Sequence, residues 1–73
     1  MKYVIVEEFG VTVPILFNDI ISHETFKDRN PVSAGFVGLD EDGKFYTYSS
    51  SDSLNLSPNV DDAELISLSF FHI

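Results

Sequence analysis

The stretch from Ala34 to Tyr48 most constrains the fold, because it consists of two apolar and aromatic runs on either side of a group of turn formers. That group is Asp40-Glu41-Asp42-Gly43. Aspartate suits the first position of a type I turn, and glycine takes a positive φ at little steric cost. Residues 32–39 and 44–48 are therefore predicted to pair as a β-hairpin.

The predicted register of this hairpin places Val37 opposite Tyr46. Because side chains alternate along a strand, Val37 would then share one face with Tyr46 and Tyr48, while Phe36 and Phe45 would share the other. Both faces would carry aromatic groups, and one helix cannot easily cover both. We therefore expect a second molecule to dock on this hairpin.

A second hairpin is predicted nearer the start of the chain, from residues 3–8 and 11–17. A two-residue loop at Phe9-Gly10 sets Glu8 opposite Val11, whereas a glycine bulge at Gly10 shifts the pairing by one residue. The sequence leaves both registers open. Pro14 cannot donate a ladder hydrogen bond, which places it on an edge or at a bulge, and the second strand is predicted to be an edge in its later half.

Two helices complete the prediction. A short helix is expected to begin at Ile20 or His23 and to run to Asp28, burying Ile20, Ile21 and Phe26 and leaving His23 exposed. A C-terminal helix is expected to open at residues 57–59, with acids in its first turns that complement the helix dipole. These acids are Asp61, Asp62 and Glu64. The apolar residues that form its predicted sheet-facing stripe are Val60, Ala63, Ile66 and Phe70, broadened by Leu65 and Leu68.

These elements together predict an α+β fold in a single domain spanning residues 1–73. Its two hairpins would form a mainly antiparallel sheet, with a brief additional strand at residues 54–56 and the C-terminal helix packed on one face. A chain of 73 residues makes a small core that disulfides, a metal or oligomerisation usually supplements. Because the chain has no cysteine and 44% of its residues are hydrophobic, we expect a homo-oligomer.

The charge of the chain limits the partners it can have. Twelve acidic residues against four basic ones give a net charge of −8, which opposes binding to nucleic acid or to an anionic membrane. A membrane helix needs an apolar run of about 18 residues, and no run in the chain is that long. The start of the chain does not resemble a signal peptide. With the absence of cysteine, these features predict a cytoplasmic protein.

Catalytic and metal sites are not predicted. The acidic turn could suggest a calcium loop, but aromatic residues follow it where further ligands belong, so turn formation is the better interpretation. His23-Glu24 lacks the second histidine of a zinc-protease helix, and the serine-rich residues 49–53 lack a nucleophile elbow. The sequence therefore predicts a protein that is not an enzyme and has no cofactor.

A pattern of short segments runs along the chain: Met1-Lys2-Tyr3 with Glu7-Glu8, Gly10 and Val13-Pro14-Ile15, then residues 32–36, 53–57 and 62–66. This pattern resembles small uncharacterised bacteriophage and prophage proteins. It covers most of the chain and carries over no catalytic or binding residue. It implies a bacterial cytoplasm and an accessory role, such as antagonising a host system.

The functional expectation is a non-enzymatic acidic interaction protein, of the phage-encoded inhibitor type, that binds a host protein. The alternative is a nucleotide or other small-molecule binding protein with a site between subunits, where Lys44, Tyr46, Tyr48 and the serine-rich loop supply contacts. The candidate interaction residues are Val37, Tyr46, Tyr48, Lys44, Asp40, Glu41, Asp42 and Phe71.

Overall fold

The computed structural model of the chain describes residues 1–70. It confirms the α+β fold, with two hairpins, a short helix and a C-terminal helix on one face of the sheet. The elements are β1 (Lys2–Glu8), β2 (Val11–Phe17), a 3₁₀ helix (His23–Arg29), β3 (Pro31–Leu39), β4 (Phe45–Tyr48) and α1 (Asp62–Phe70). All strand pairs are antiparallel, and the strand order is β2-β1-β3-β4.

The first hairpin adopts the two-residue loop rather than the glycine bulge. Phe9 and Gly10 have φ values of +55° and +77°, the positive pair that a type I′ turn requires. Glu8 consequently lies opposite Val11. This turn matches the right-handed twist of the strands it joins, which explains why a phenylalanine tolerates a positive φ there.

Pro14 lies on an edge strand, as predicted, because β2 pairs only with β1. Its cross-strand partner is Ile5, three pairs away from the Glu8–Val11 pair that closes the turn. Hydrogen-bonded and non-hydrogen-bonded pairs alternate along an antiparallel ladder, so Pro14 falls at a non-hydrogen-bonded position. Its nitrogen points away from β1, and the ladder loses no bond.

The predicted register of the second hairpin is wrong by one residue. Val37 lies opposite Thr47, and Phe36 lies opposite Tyr48. The cause is the turn: Asp40 N–H donates to the carbonyl oxygen of Lys44 at 2.9 Å, so the loop contains three residues rather than four. Gly43, at φ +78°, supplies the left-handed residue of the glycine bulge that follows a type I turn.

A one-residue slip exchanges the faces of a strand relative to its partner. Phe36 therefore joins Tyr46 and Tyr48 on one face, and Val37 joins Phe45 on the other. The sequence-based grouping of Val37 with the two tyrosines is corrected accordingly.

Helix α1 covers the face that includes Val37. The buried members of this core layer are Tyr3, Ile5, Val37 and Ile66, with Leu16, Phe45 and Leu65 packed against them. Ile66 is fully buried, and such a side chain contributes about 1.5–3 kcal/mol to the free energy of folding.

The opposite face is covered by the 3₁₀ helix and by residues 51–56. Its buried members are Val4, Val6, Phe17 and Ala34, and Ile15, Phe26, Leu54 and Leu56 pack against them. The chain itself thus covers both faces of the central strand β1. Residues 54–56 form no regular strand; Ser51 and Leu56 make a single antiparallel bridge.

The two helices differ from their predicted boundaries. Ser22 caps the 3₁₀ helix, which begins at His23, and Ile20 before it is 90% exposed rather than buried. Ile21 is also exposed, whereas His23 is buried, the reverse of the prediction. Helix α1 begins later than predicted, so Val60 lies outside it and is exposed.

Neither helix within residues 1–70 combines the length and apolarity that crossing a bilayer would require.

Candidate functional site

Six aromatic side chains form a continuous row across the face of the sheet opposite helix α1. Their ring centroids follow one another at 4.7–5.7 Å. In spatial order the row, which we call the aromatic row, is Phe26, Phe17, His23, Phe36, Tyr48 and Tyr46. It begins beneath the 3₁₀ helix and ends on the exposed half of the second hairpin. The core on this face is therefore continuous with a surface feature.

His23 is the buried centre of the aromatic row. Its ring makes edge-to-face contacts with Phe17 at 5.4 Å and with Phe36 at 5.7 Å. Its Nε2 lies 2.9 Å from the carbonyl oxygen of Gly35. Since a carbonyl oxygen only accepts, Nε2 carries the hydrogen of this bond. The histidine thereby anchors the 3₁₀ helix to β3 and holds Phe36 in place.

Tyr46 and Tyr48 form the exposed end of the row, with 46% and 47% of each residue accessible. Tyr48 stacks on Phe36 at 5.7 Å and 29°. Tyr46 lies across Gly38, where an added Cβ would be 2.8 Å from its Cζ and Oη atoms. Each ring therefore has a fixed support on the sheet. We call Phe36, Gly38, Tyr46 and Tyr48 the tyrosine face.

The acidic turn, defined as Asp40, Glu41 and Asp42, closes the hairpin that carries the tyrosine face. Asp40 Oδ1 accepts hydrogen bonds from the backbone N–H groups of Asp42 and Lys44, each at 2.9 Å. These bonds hold the turn and leave the carboxylates of Glu41 and Asp42 at an exposed tip. Within residues 1–70 no group of three metal-ligating side chains is placed to hold an ion.

Charge is distributed unevenly along the chain. Seven of the twelve acidic residues lie between Asp40 and Glu64, and Lys44 is the only base in that stretch. In the other half, Arg29 pairs with Glu8 at 2.8 Å, and two further ion pairs neutralise acids there. The hydrogen bond from Arg29 lowers the pKa of the Glu8 carboxyl. Of the seven acids, Asp40, Glu41 and Asp42 lie on the hairpin that carries the tyrosine face, whereas the acids at the start of helix α1 lie towards the other face of the sheet.

One of the acids predicted at the start of the C-terminal helix is not on the surface. Asp62 is buried, and its Oδ2 accepts a hydrogen bond of 2.6 Å from the hydroxyl of Tyr3. Burial and, after it, this bond to a carboxylate raise the pKa of Tyr3 above its ordinary value. Asp62 thus has a structural contact in addition to the dipole position that the sequence indicated.

The structure brings together most of the predicted interaction residues. Tyr46 and Tyr48 lie on one face of the second hairpin, and Lys44 directly precedes strand β4, next to the acidic turn. Val37 does not belong with them, because it is 3% exposed and lies under helix α1. Phe71 lies outside the described residues.

Sequence reasoning missed three residues that build this face. His23 was expected to be exposed, Phe36 was assigned to the other face, and Gly38 was not placed opposite Tyr46. A usable signal existed in the last case, because glycine directly opposite an aromatic residue often lets the ring lie across the neighbouring strand. The register error placed Val37 rather than Gly38 opposite Tyr46 and concealed this pair.

Comparison of the chain with protein-family models, curated proteins and solved structures finds no match. The function of the protein is therefore inferred from the geometry and charge of the chain itself.

Proposed function

We propose that this protein is a non-enzymatic interaction protein that binds a basic surface of another protein through the tyrosine face and the acidic turn. The observation that carries the proposal is the pair of half-exposed tyrosines, Tyr46 and Tyr48, on the same hairpin as the three acids of the acidic turn. Tyrosine is enriched at the centres of protein interfaces, where its ring gives a large contact area at a low entropic cost.

The shape of the surface also favours a macromolecular partner. Surface depressions of about 270 and 250 Å³ lie against residues such as Asp19 and Phe9, and no residue of the tyrosine face lines either of them. Small ligands usually bind in concave sites that bury most of their surface, and flat surfaces suit protein partners. The charge of the chain directs the choice towards a basic partner.

The proposed partner is a protein of a bacterial host cell. The resemblance to small bacteriophage and prophage proteins supports a host protein as the partner, in the bacterial cytoplasm. An accessory protein that occupies a basic host surface would act as an inhibitor by excluding the natural ligand of that surface. No catalytic step is required for such a role.

The experiment is affinity capture from bacterial lysate with the full chain immobilised, at low and at high salt. A variant with Tyr46→Ser and Tyr48→Ser is compared with a control carrying Phe9→Ser and Val60→Ser, two fully exposed apolar positions outside the tyrosine face. We expect a basic protein to be retained at low salt by the native chain and by the control, and to be lost from the tyrosine variant. Recovery of no partner at either salt concentration would contradict the proposal. Recovery of the same partner in the same amount by the tyrosine variant would also contradict it.

A nucleotide or related small molecule is the second candidate, with a site completed by another copy of the chain. The observation that favours it is the pair of tyrosine rings 5.7 Å apart, beside Lys44, since bases stack on aromatic side chains and lysine pairs with phosphate. A binding ligand must raise the thermal unfolding temperature of the folded chain. Absence of any shift across a nucleotide panel at high concentration would remove this candidate.

A further inference from the structure

The tyrosine face and the acidic turn lie side by side on one hairpin, and together they select a particular cation. We propose that the segment bound there presents arginine rather than lysine, with a guanidinium group stacked on Tyr46 or Tyr48 and hydrogen-bonded to a carboxylate of the acidic turn. This inference rests on the proposed function and names the chemistry of the partner.

The sheet supports the rings of both exposed tyrosines on one side. Tyr46 lies across Gly38, and Tyr48 stacks on Phe36, which His23 holds from the core. Because one side of each ring is supported by the protein, the exposed part is presented in a fixed orientation. A flat cation can then stack on the exposed side of the ring, and binding loses little entropy because the tyrosine side chain is already ordered.

The acidic turn lies close to Tyr46 along the hairpin. Tyr46 lies opposite Gly38, and one pair further towards the turn Leu39 lies opposite Phe45. Asp40, which follows, bonds to Lys44 at the start of the loop. Counted from Gly38, the three acids of the turn are therefore two to four positions away, or about 7–13 Å along the chain at the usual rise of a strand. A single arginine, or two in one extended segment, spans that separation.

The two basic side chains differ in the contacts that they make. Guanidinium is planar, is more weakly hydrated than ammonium, stacks on aromatic rings and donates two parallel hydrogen bonds to one carboxylate. Ammonium is a compact, strongly hydrated charge that gains less from either contact. A surface that combines supported rings with carboxylates therefore discriminates in favour of arginine more strongly than a purely acidic surface would.

The negative charge of the chain disfavours binding of a second copy of the chain, or of a phosphate-rich partner, at this face. A second copy of the chain would bring another net charge of −8 to the same place, and phosphate-rich partners would be repelled. Lys44 follows the acidic turn in the sequence, and its single charge is outnumbered by the three acids of the turn.

The test uses the full chain and two labelled peptides of equal length and charge, one of alternating arginine and glycine and one of alternating lysine and glycine. Fluorescence anisotropy at low salt gives the two dissociation constants. We expect the arginine peptide to bind about two- to fivefold more tightly, the range that an exposed cation–π contact supplies. Equal binding of the two peptides would overturn the arginine inference and leave the charge-driven interaction standing. Binding of neither would overturn both.

Two double variants identify the source of the preference. Replacing Tyr46 and Tyr48 by phenylalanine keeps the rings, so the preference for arginine should persist. Replacing both by leucine removes the aromatic faces while keeping apolar bulk and the carboxylates, so the preference for arginine should decrease. An undiminished preference after the leucine substitutions would contradict the proposal. Should the leucine variant fail to fold, Asp42→Asn in the native background provides a second measurement, and an unchanged affinity for the arginine peptide would count against it.

Discussion

The hydroxyl of Tyr3 donates a hydrogen bond of 2.6 Å to Oδ2 of Asp62, joining the central strand β1 to the first turn of helix α1. The same carboxylate oxygen accepts the backbone N–H of Asn59 at 2.9 Å. Both side chains are buried, so the pair lies out of the screening solvent. It fixes how the helix sits on the sheet, and it leaves the opposite face of the sheet free to carry the aromatic row.

Removing the Tyr3 hydroxyl should weaken the fold. Tyr3→Phe leaves the buried Asp62 carboxylate with the Asn59 N–H as its remaining partner in the structure, and a hydrogen bond to a charged group contributes about 1.5–3 kcal/mol. We expect a loss of that size in the free energy of unfolding, measured by urea denaturation. The control Tyr46→Phe removes an exposed hydroxyl and should change stability by less than about 0.5 kcal/mol. Equal effects of the two substitutions would contradict the account.

The same pair predicts a dependence on alkaline pH. The pKa of Tyr3 is raised in the folded chain, first by burial and then by Asp62, above its ordinary value of 10.0. The folded state therefore holds the phenolic proton more tightly than the unfolded state does. Its stabilising contribution is complete below pH 10 and is lost as the pH rises above 10, at up to about 1.4 kcal/mol per pH unit.

Unfolding free energies of the native chain and of Tyr3→Phe, measured from pH 8 to 11, check this sign. The difference between the two chains should be constant up to about pH 10 and should shrink above it, because only the native chain has the buried phenol. A difference that grows with pH in that window would mean that the sign is wrong.

Two glycines of β3 should respond differently to alanine. At Gly35 an added Cβ would lie 2.8 Å from Pro58 Cγ and within 3.2 Å of the carbonyl oxygens of Tyr48 and Ser49, and backbone cannot move aside cheaply. Gly35→Ala should therefore cost about 1–3 kcal/mol of stability. At Gly38 the obstacle is the far end of the Tyr46 ring, which can swing away.

Gly38→Ala is consequently expected to change stability by less than about 1 kcal/mol while moving the Tyr46 ring off the sheet. Urea denaturation measures the first effect, and the ring proton shifts of Tyr46 measure the second. A destabilisation by Gly38→Ala as large as that by Gly35→Ala would show that the Tyr46 ring cannot be displaced from the sheet at low cost.

The burial of His23 predicts a large effect at a position that looked exposed from the sequence. His23→Ala removes two ring contacts and the donor to the Gly35 carbonyl, so we expect a loss of about 3 kcal/mol. Ile20→Ala, at a residue that is 90% exposed, should change stability by less than about 0.5 kcal/mol. Thermal or urea unfolding of the two variants decides the matter, and a larger effect at Ile20 would refute the observed packing.

These contrasts show where the sequence was informative. The class of fold, both hairpins and the edge position of Pro14 followed from short-range chemistry, because turn residues and alternation act within a few positions. The register of the second hairpin did not follow. A four-residue loop and a three-residue loop with a glycine bulge at Gly43 use the same residues, and they differ by the one position that exchanges the faces.

The buried polar contacts escaped prediction for a different reason. Asp62 meets Tyr3 across 59 positions of sequence, and His23 meets the Gly35 carbonyl across 12. An acid at a helix start and a histidine after a cap both have ordinary local explanations, so nothing local required a distant partner. The one available hint was Tyr3 itself, because a tyrosine within an apolar strand usually finds an acceptor for its hydroxyl.

Lys44 separates the two candidate functions. Lys44→Gln removes a positive charge beside the tyrosine face, so the arginine peptide should bind about twofold more tightly or better, a typical effect of one exposed charge. A nucleotide phosphate would instead lose its basic partner and bind more weakly. Anisotropy with the peptide and thermal shift with nucleotides measure the two effects. Weaker binding of the peptide by Lys44→Gln would contradict the interaction proposal.

The central claim is that the tyrosine face and the acidic turn form the binding surface. The most direct test is to follow the backbone amide resonances of the full chain while the arginine peptide is titrated in. We predict that the largest shifts fall at residues 40–48 and at Phe36, with small changes at Phe9 and Val60. Shifts concentrated around Phe9, Val60 or the face of helix α1 would contradict the claim.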